Sequence, residues 1–170
     1  MNQAPDTHAM KSFDPARDGR RLRDAFGRFA TGVTVVTAMS DDGPIGITAN
    51  SFASVSLDPP LLLWCPAKTS QRYEAFCAAP AFSIQVLDGH QRLICDGFSR
   101  APDAFDSTDW ETGTDGTPLL RDCLARFECT RHAVHEAGDH SIVIGRIRQA
   151  AFRDGLPLLF QAGRFVSIKG

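Results

Sequence analysis

Several features that mark large protein classes are missing from this sequence. No window holds 18 uninterrupted apolar residues, and residues 1–12 are polar without the apolar stretch of a secretory leader. Neither export nor membrane anchoring is therefore expected. Basic charge is not in excess: 18 Lys and Arg stand against 20 Asp and Glu, for a net charge of −2. The basic residues are also scattered, which leaves no electrostatic footprint for nucleic acid or an anionic membrane. There is no Cys-x-x-Cys, and the five cysteines, at 65, 77, 95, 123 and 129, are odd in number and lie mostly in apolar runs. Small buried thiols in a reducing, cytoplasmic setting are expected, not a disulfide framework. No Gly-x-Gly-x-x-Gly opens a helix after the first strand, so a nicotinamide nucleotide would not be held in the Rossmann manner. A Gly-x-Ser-x-Gly elbow is absent too, which removes the usual setting for a serine hydrolase. Internal repeats and low-complexity segments do not occur.

What is present suits one domain. A chain of 170 residues buries roughly 70% of the surface its unfolded form exposes, and the reading is a disordered segment over 1–12 followed by one domain over 13–170. The most informative stretch is Thr48 to Pro60, where Thr48, Asn50, Ser51, Ser54 and Ser56 crowd into nine residues and Ala49 and Ala53 keep the surface low. Small donors and bare backbone in one place suit the edge of a planar heteroaromatic. A Ser/Thr-rich strand edge and turn is the other reading of the same residues. Asp58-Pro59-Pro60 stiffens the exit into the next strand.

In chain order, Asp14 and Pro15 are expected to start a helix whose inner face carries Leu22, Ala25, Phe26 and Phe29, with Arg20, Arg21, Arg23 and Arg28 solvated and Thr31-Gly32 as its stop. Val33–Met39 and Ile45–Asn50 read as a hairpin around Asp41-Asp-Gly-Pro44, and Leu61–Cys65 as a buried strand. Thr69 or Ser70 would cap the next helix, with Tyr73, Phe76 and Cys77 inward. Lys68 and Arg72 near its N-terminus oppose the macrodipole, so they either serve an anion such as a phosphate or are simply solvated. Phe82–Leu87 reads as a strand, Asp88 as the cap of a helix through Phe98, and residues 99–118 as an irregular flap. A helical turn over 119–124 is expected next. Two long strands, Phe127–Val134 and Ile142–Phe152, then join through residues 136–139, and short strands follow at 158–160 and 165–168. Short antiparallel connections and few helices predict a mainly β fold, a closed or nearly closed barrel.

His132, His135, Glu136 and His140 raise the question of a metal site, but the spacing is not His-Glu-x-x-His, and on a strand His132 and His135 face opposite ways. No metal is expected. Cys65 ends an apolar run before Pro66 and reads as core instead of nucleophile.

Phe29-Ala-Thr-Gly-Val-Thr-Val-Val-Thr37, Thr48-Ala-Asn-Ser-Phe-x-Ser-Val-Ser-Leu-Asp-Pro-Pro60 and Gly138-Asp-His140 resemble, in order and spacing, the flavin reductase-like proteins that serve two-component flavin monooxygenases. The resemblance runs from about residue 26 to residue 168. It implies an FMN-binding split β-barrel with a Greek key that dimerises around its flavin sites. It also implies an NAD(P)H:flavin oxidoreductase that uses NADH or NADPH to reduce FMN or FAD as a diffusible substrate for a separate monooxygenase. Ala30, Thr31, Gly32, Val33, Thr48, Ala49, Asn50 and Ser51, with Ser54 and Ser56, would line the flavin ring and ribityl chain. Lys68, Ser70 and Arg72 would hold its phosphate, and His140 would orient nicotinamide. Cys65-Pro66-Ala67 departs from the family's more Val- and Gly-rich segment, and the proline removes an N–H that could meet the flavin. A flavin-binding protein of the same barrel without turnover, for storage or sensing, and a cofactor-free dimeric barrel are the alternatives.

Overall fold

A computed structural model of the chain describes residues 10–101 and 104–166. Within them lie three α-helices, α1 (Gly19–Phe26), α2 (Tyr73–Ala78) and α3 (Arg92–Arg100), and a 3-10 turn at Ala104–Ser107. The strands are β1 (Thr31–Gly32), β2 (Thr34–Ser40), β3 (Gly43–Ala49), β4 (Ala53–Leu57), β5 (Pro60–Trp64) and β6 (Ala81–Val86), followed by β7 (Trp110–Thr112), β8 (Pro118–Leu120), β9 (Ala125–Ala137), β10 (His140–Phe152), β11 (Leu159–Gln161) and β12 (Arg164–Val166). Seven of them form one antiparallel sheet in the order β3-β2-β6-β9-β10-β5-β4, a mainly β split barrel. β1, β11 and β12 make a small separate sheet, and β7 pairs with β8.

The sequence pattern explains most of this. β2 does not alternate: Thr34, Val35, Val36, Thr37 and Ala38 are all buried. A strand loses its polar face when both sides are covered. One side of β2 enters the barrel core, where Val36 and Ala38 meet Leu62, Trp64, Phe76, Phe82 and Val143. The other meets a second layer built by α3 and the segment after it, where Val35 joins Leu87, Cys95, Phe98, Phe105, Leu120 and Leu158. The buried hydroxyls of this layer are satisfied across it. Thr37 Oγ1 bonds Pro118 O, Gln85 Nε2 donates to Thr37 Oγ1 at 3.2 Å, and Ser83 Oγ lies 2.8 Å from Thr117 Oγ1. Such pairing is what makes burial of polar groups tolerable.

Several local expectations are corrected. Asp18, not Asp14, caps α1, accepting from the Arg21 N–H at 3.0 Å, while Asp14 closes the turn before it. No residue of α1 is buried: Phe26 is 70% exposed, and Phe29, past the helix end, is 77% exposed, so the expected inner face is left open. Thr31-Gly32 is a strand pairing β11, and Gly27 ends the helix. Arg72, without a side-chain cap, precedes α2, and Gln91, not Asp88, precedes α3; Asp88 instead holds the turn to His90. The described part of 99–118 is no loose flap, since Phe105 and Thr117 are buried and β7 and β8 lie in and beyond it. The expected helical turn at 119–124 begins as β8, where Leu119 and Leu120 are both buried and Leu120 joins the second layer. Most of the expected 1–12 segment, and residues 167 and 168 of the last expected strand, lie outside the described residues. The hairpins β2–β3, β9–β10 and β11–β12 form where expected. Gly138, at φ 66°, takes the left-handed position that the two-residue β9–β10 turn demands.

Candidate functional site

Three hollows meet at Asn50. The first, about 220 Å³, lies where β3 and β5 end and is lined by residues 47–51 on one side, by residues 64–67 and Ser70 on another, and by His140. The second, about 520 Å³, runs under the end of α1 beside Phe26, Phe29, Thr31 and Phe160. Val33, Thr48 and Ala49 border the third, about 200 Å³, with Ser99, Phe160 and Phe165 across from them. Asn50 borders all three.

The inner edge of the first hollow is held by its own hydroxyls. Thr48 Oγ1 donates to Cys95 O at 2.7 Å, and Thr34 Oγ1 donates to Ala49 O at 2.8 Å. The Cys65 N–H donates to Ser51 Oγ at 2.9 Å, which ties the β3 exit to the β5 exit across the barrel's seam. These bonds fix the backbone of Thr48–Ser51 and leave the Asn50 side chain exposed between the hollows. Burial pushes the Cys65 thiol up, so the wall carries a neutral thiol.

The outer edge is built by the β9–β10 turn. The Lys68 N–H donates to Asp139 O at 2.9 Å, Ala67 bridges His140, and the Ser141 N–H donates to Pro66 O at 3.1 Å, so the turn and the segment after β5 are laced together. His140 Nδ1 lies 2.8 Å from Asp139 Oδ1. This hydrogen bond holds the Asp139 carboxyl below the usual range. With the Nδ1–H donated to the Asp139 carboxylate, Nε2 is left as the ring nitrogen open to a ligand.

The fold thus gathers Thr48, Ala49, Asn50, Ser51, Ser70 and His140 around one hollow, and places Thr31 and Val33 in the two that adjoin it. Ala30 and Gly32 flank Thr31 in the chain, and Lys68 is fixed beside the turn. Ser54 and Ser56 sit on β4, the edge strand, and line none of these hollows. Arg72 turns inward, its Nη1 donating to Gly46 O at 3.0 Å and Phe98 O at 2.7 Å, which binds α2 to α3. Sequence reasoning missed Phe160, Phe165 and Ser99 as wall residues. Only the pairing of β11 with β1 brings Phe160 to Thr31, and no local signal encodes it.

Two buried polar atoms on the walls have no partner, Thr31 Oγ1 and Trp64 Nε1. Unsatisfied groups of this kind are rare in folded proteins, and a donor-rich wall with spare groups suits a heteroaromatic ligand with acceptors on its rim. Among the described residues no group of three or more His, Cys, Asp or Glu side chains is placed to hold a metal ion.

Fold and site first define a class: a split barrel with a small-donor cleft at the strand ends and an Asp-His turn on its rim. The family model for the flavin reductase like domain matches residues 26–169. The chain belongs to that family. The FMN reductase (NADH) SmoA of Agrobacterium fabrum is 54% identical over 148 residues, which cover 87% of this chain and 85% of that one. The reductase subunit HsaB of a flavin-dependent monooxygenase from Rhodococcus jostii is 40% identical, with 91% and 80% covered. Among solved structures, the NADH:FAD oxidoreductase of Streptomyces globisporus superposes with a TM-score of 0.89 at 39% identity, covering 95% of this chain and 98% of that one.

Proposed function

We propose that this chain is an NAD(P)H:flavin oxidoreductase that reduces FMN or FAD as a diffusible substrate and supplies the reduced flavin to a separate monooxygenase. The observation that carries this reading is the convergence of Thr48–Ser51, Ser70 and His140 on one hollow in a chain of this family. When bound, the flavin accepts a hydride from the nicotinamide, and that chemistry belongs to the cofactors. The chain's own residues position and exclude. The Thr48–Ser51 backbone, held by its hydroxyl bonds, gives a rigid floor for the ring. Thr31 Oγ1 and Trp64 Nε1–H are spare polar groups for its rim, and Lys68 and Ser70 hold its phosphate. Ala30, Gly32 and Val33 complete the adjoining wall, Arg72 braces it through Gly46 O and Phe98 O, and Ser54 and Ser56 on the edge strand are given no ligand contact. His140, its Nδ1–H donated to Asp139, would accept through Nε2 from the nicotinamide carboxamide and so orient that ring beside the flavin.

The reading includes a homodimer. Leu61 and Leu63 on β5 share an outward face with Ile142 and Ile144 on β10 and Ala133 on β9, all only partly buried, while α3 packs on β2 and β3. Val55 and Leu57 on the neighbouring edge strand are 47% and 96% exposed. Arg146, paired with Leu61, and His135, paired with Ile142, add charge and polarity to this face, and a partly apolar face of this kind suits a self-complementary contact across a two-fold axis. One flavin reductase-like domain over 13–170, at work in the cytoplasm, accords with five free cysteines and with no helix among the described residues long and apolar enough to cross a membrane.

The test is aerobic oxidation of NADH and of NADPH with FMN, FAD or riboflavin added in excess. Turnover in proportion to enzyme is expected. Folded protein that consumes neither nucleotide with any of the three flavins would end the enzyme reading.

A further inference from the structure

Lys68 does not stand alone on the rim. Its Nζ lies 3.4 Å from Glu136 Oε2, with the lysine side chain 32% and the glutamate 85% exposed. The backbone that carries both side chains is anchored, since the Lys68 N–H is bonded to Asp139 O and its neighbour Ala67 bridges His140. Glu136 sits on β9 one residue before the strand's last pair, Ala137 with His140, so both charges are anchored to the same turn. The Asp139 carboxylate adds a second negative group there, occupied by His140 and also drawn on by Lys68.

A phosphate brings roughly one and a half to two negative charges to a single ammonium. On this rim the ammonium already has a carboxylate partner, so an arriving phosphate must displace Glu136 or lie beside it. We propose that Glu136 is a specificity-determining residue: a resident counter-ion to Lys68 that weakens the grip on flavin phosphate and so keeps FMN and FAD exchangeable. The proposal rests on the assignment of Lys68 to that phosphate. Riboflavin, which has no phosphate, is indifferent to Glu136. Discrimination between phosphorylated flavins and riboflavin is therefore smaller than Lys68 alone would produce. For an enzyme whose product must leave to be used, a weakened anchor favours release. The charge effect falls within a Debye length and fades in salt.

The experiment measures dissociation constants of FMN, FAD and riboflavin by quenching of flavin fluorescence, for the full-length wild type, Glu136→Gln, Lys68→Met and the double variant. Low salt and about 0.5 M salt are compared, the latter shortening the Debye length to below about 5 Å. At low salt Glu136→Gln should bind FMN and FAD roughly three- to tenfold more tightly, with riboflavin changed by less than about twofold, and high salt should erase most of the gain. Lys68→Met should weaken FMN and make Glu136→Gln silent in the double variant. An unchanged FMN constant in Glu136→Gln, with Lys68→Met still weakened, overturns the role of Glu136 and spares that of Lys68. No response to either substitution overturns both. Equal changes for FMN and riboflavin also overturn the proposal, since the phosphate would not be the group sensed. Wild-type NADH oxidation with added FMN reports separately on the reductase reading.

Discussion

The two edges of the central hollow are both polar, one of small hydroxyl residues and one of charged and imidazole groups, and they do different work. On the inner edge, Thr48 and Ser51 have their hydroxyls bonded to Cys95 O and to the Cys65 backbone, so these side chains hold the fold. On the outer edge, Lys68, Glu136, Asp139 and His140 are exposed to varying degrees and bond mainly to one another. The backbone beneath them carries the structure. An inner-edge substitution should therefore cost stability first, and an outer-edge substitution should cost kinetics first.

The largest effect tests the frame behind the inner edge. A Cβ at Gly46 would come within 2.4 Å of the Phe98 ring, at the same place where Arg72 bonds Gly46 O and Phe98 O. Gly46→Ala should lose about 2–3 kcal/mol of stability through overpacking, measured by urea denaturation. A wild-type midpoint would show that α3 moves freely.

His140→Ala reverses the signature. With the nicotinamide no longer oriented, kcat/KM for NADH should fall up to ~100-fold, while flavin affinity and Tm stay close to wild type. A variant that melts several degrees lower, yet keeps the wild-type ratio of NADH to flavin kinetics after correction for folded fraction, would move His140 to the structural side.

Ser51→Ala removes the acceptor for the Cys65 N–H and should cost about 1–2 kcal/mol, with flavin and NADH parameters declining together. Thr48→Val, which leaves Cys95 O with the Ser99 hydroxyl as its remaining hydroxyl donor, should cost at most about 1 kcal/mol in the same pattern. Selective loss of NADH use in either variant would erase the distinction between the edges.

The smallest effect lies away from both. His90 bridges Asp88 and Asp122 at 2.8 and 3.1 Å, and Arg153 bonds the same two carboxylates at 3.0 and 2.7 Å, closing a surface ring over three chain segments. The Asp122 and then the Asp88 hydrogen bond raise the His90 pKa, and the His90 and then the Arg153 bond lower that of Asp122. The histidine's contribution is full below its unfolded pKa of about 6.5 and is lost as pH rises through its higher folded value. That of Asp122 is present above about 3.9 and is lost as pH falls through its lower folded value. Tm should therefore decline slightly from pH 6 to about pH 8.5, and His90→Gln should flatten that slope without touching flavin reduction. A slope unchanged in the variant would assign it to other groups.

The sequence by itself determined the long strands and their hairpins, because Val- and Thr-rich apolar runs and turn residues such as Asp41–Pro44 and Gly138-Asp139 act over a few residues; β1, β7 and β8 it did not. It also carried the ordered motifs of the family, and with them most of the residues around Asn50 and His140. The tertiary structure alone decided which of those polar groups are already bonded. Whether Thr48 faces a ligand or Cys95 O, and whether Arg72 meets a phosphate or two carbonyls, depends on α3, which lies more than twenty residues away in the chain. The second layer over β2 was equally hidden, since residues 99–118 read as loop until Phe105, Thr117 and Leu120 find apolar and hydroxyl partners on the sheet. Phe160 reached the site through strand pairing with β1, across more than a hundred residues. Long-range packing and hydrogen-bond satisfaction are properties of pairs brought together by the fold, and no local pattern records them.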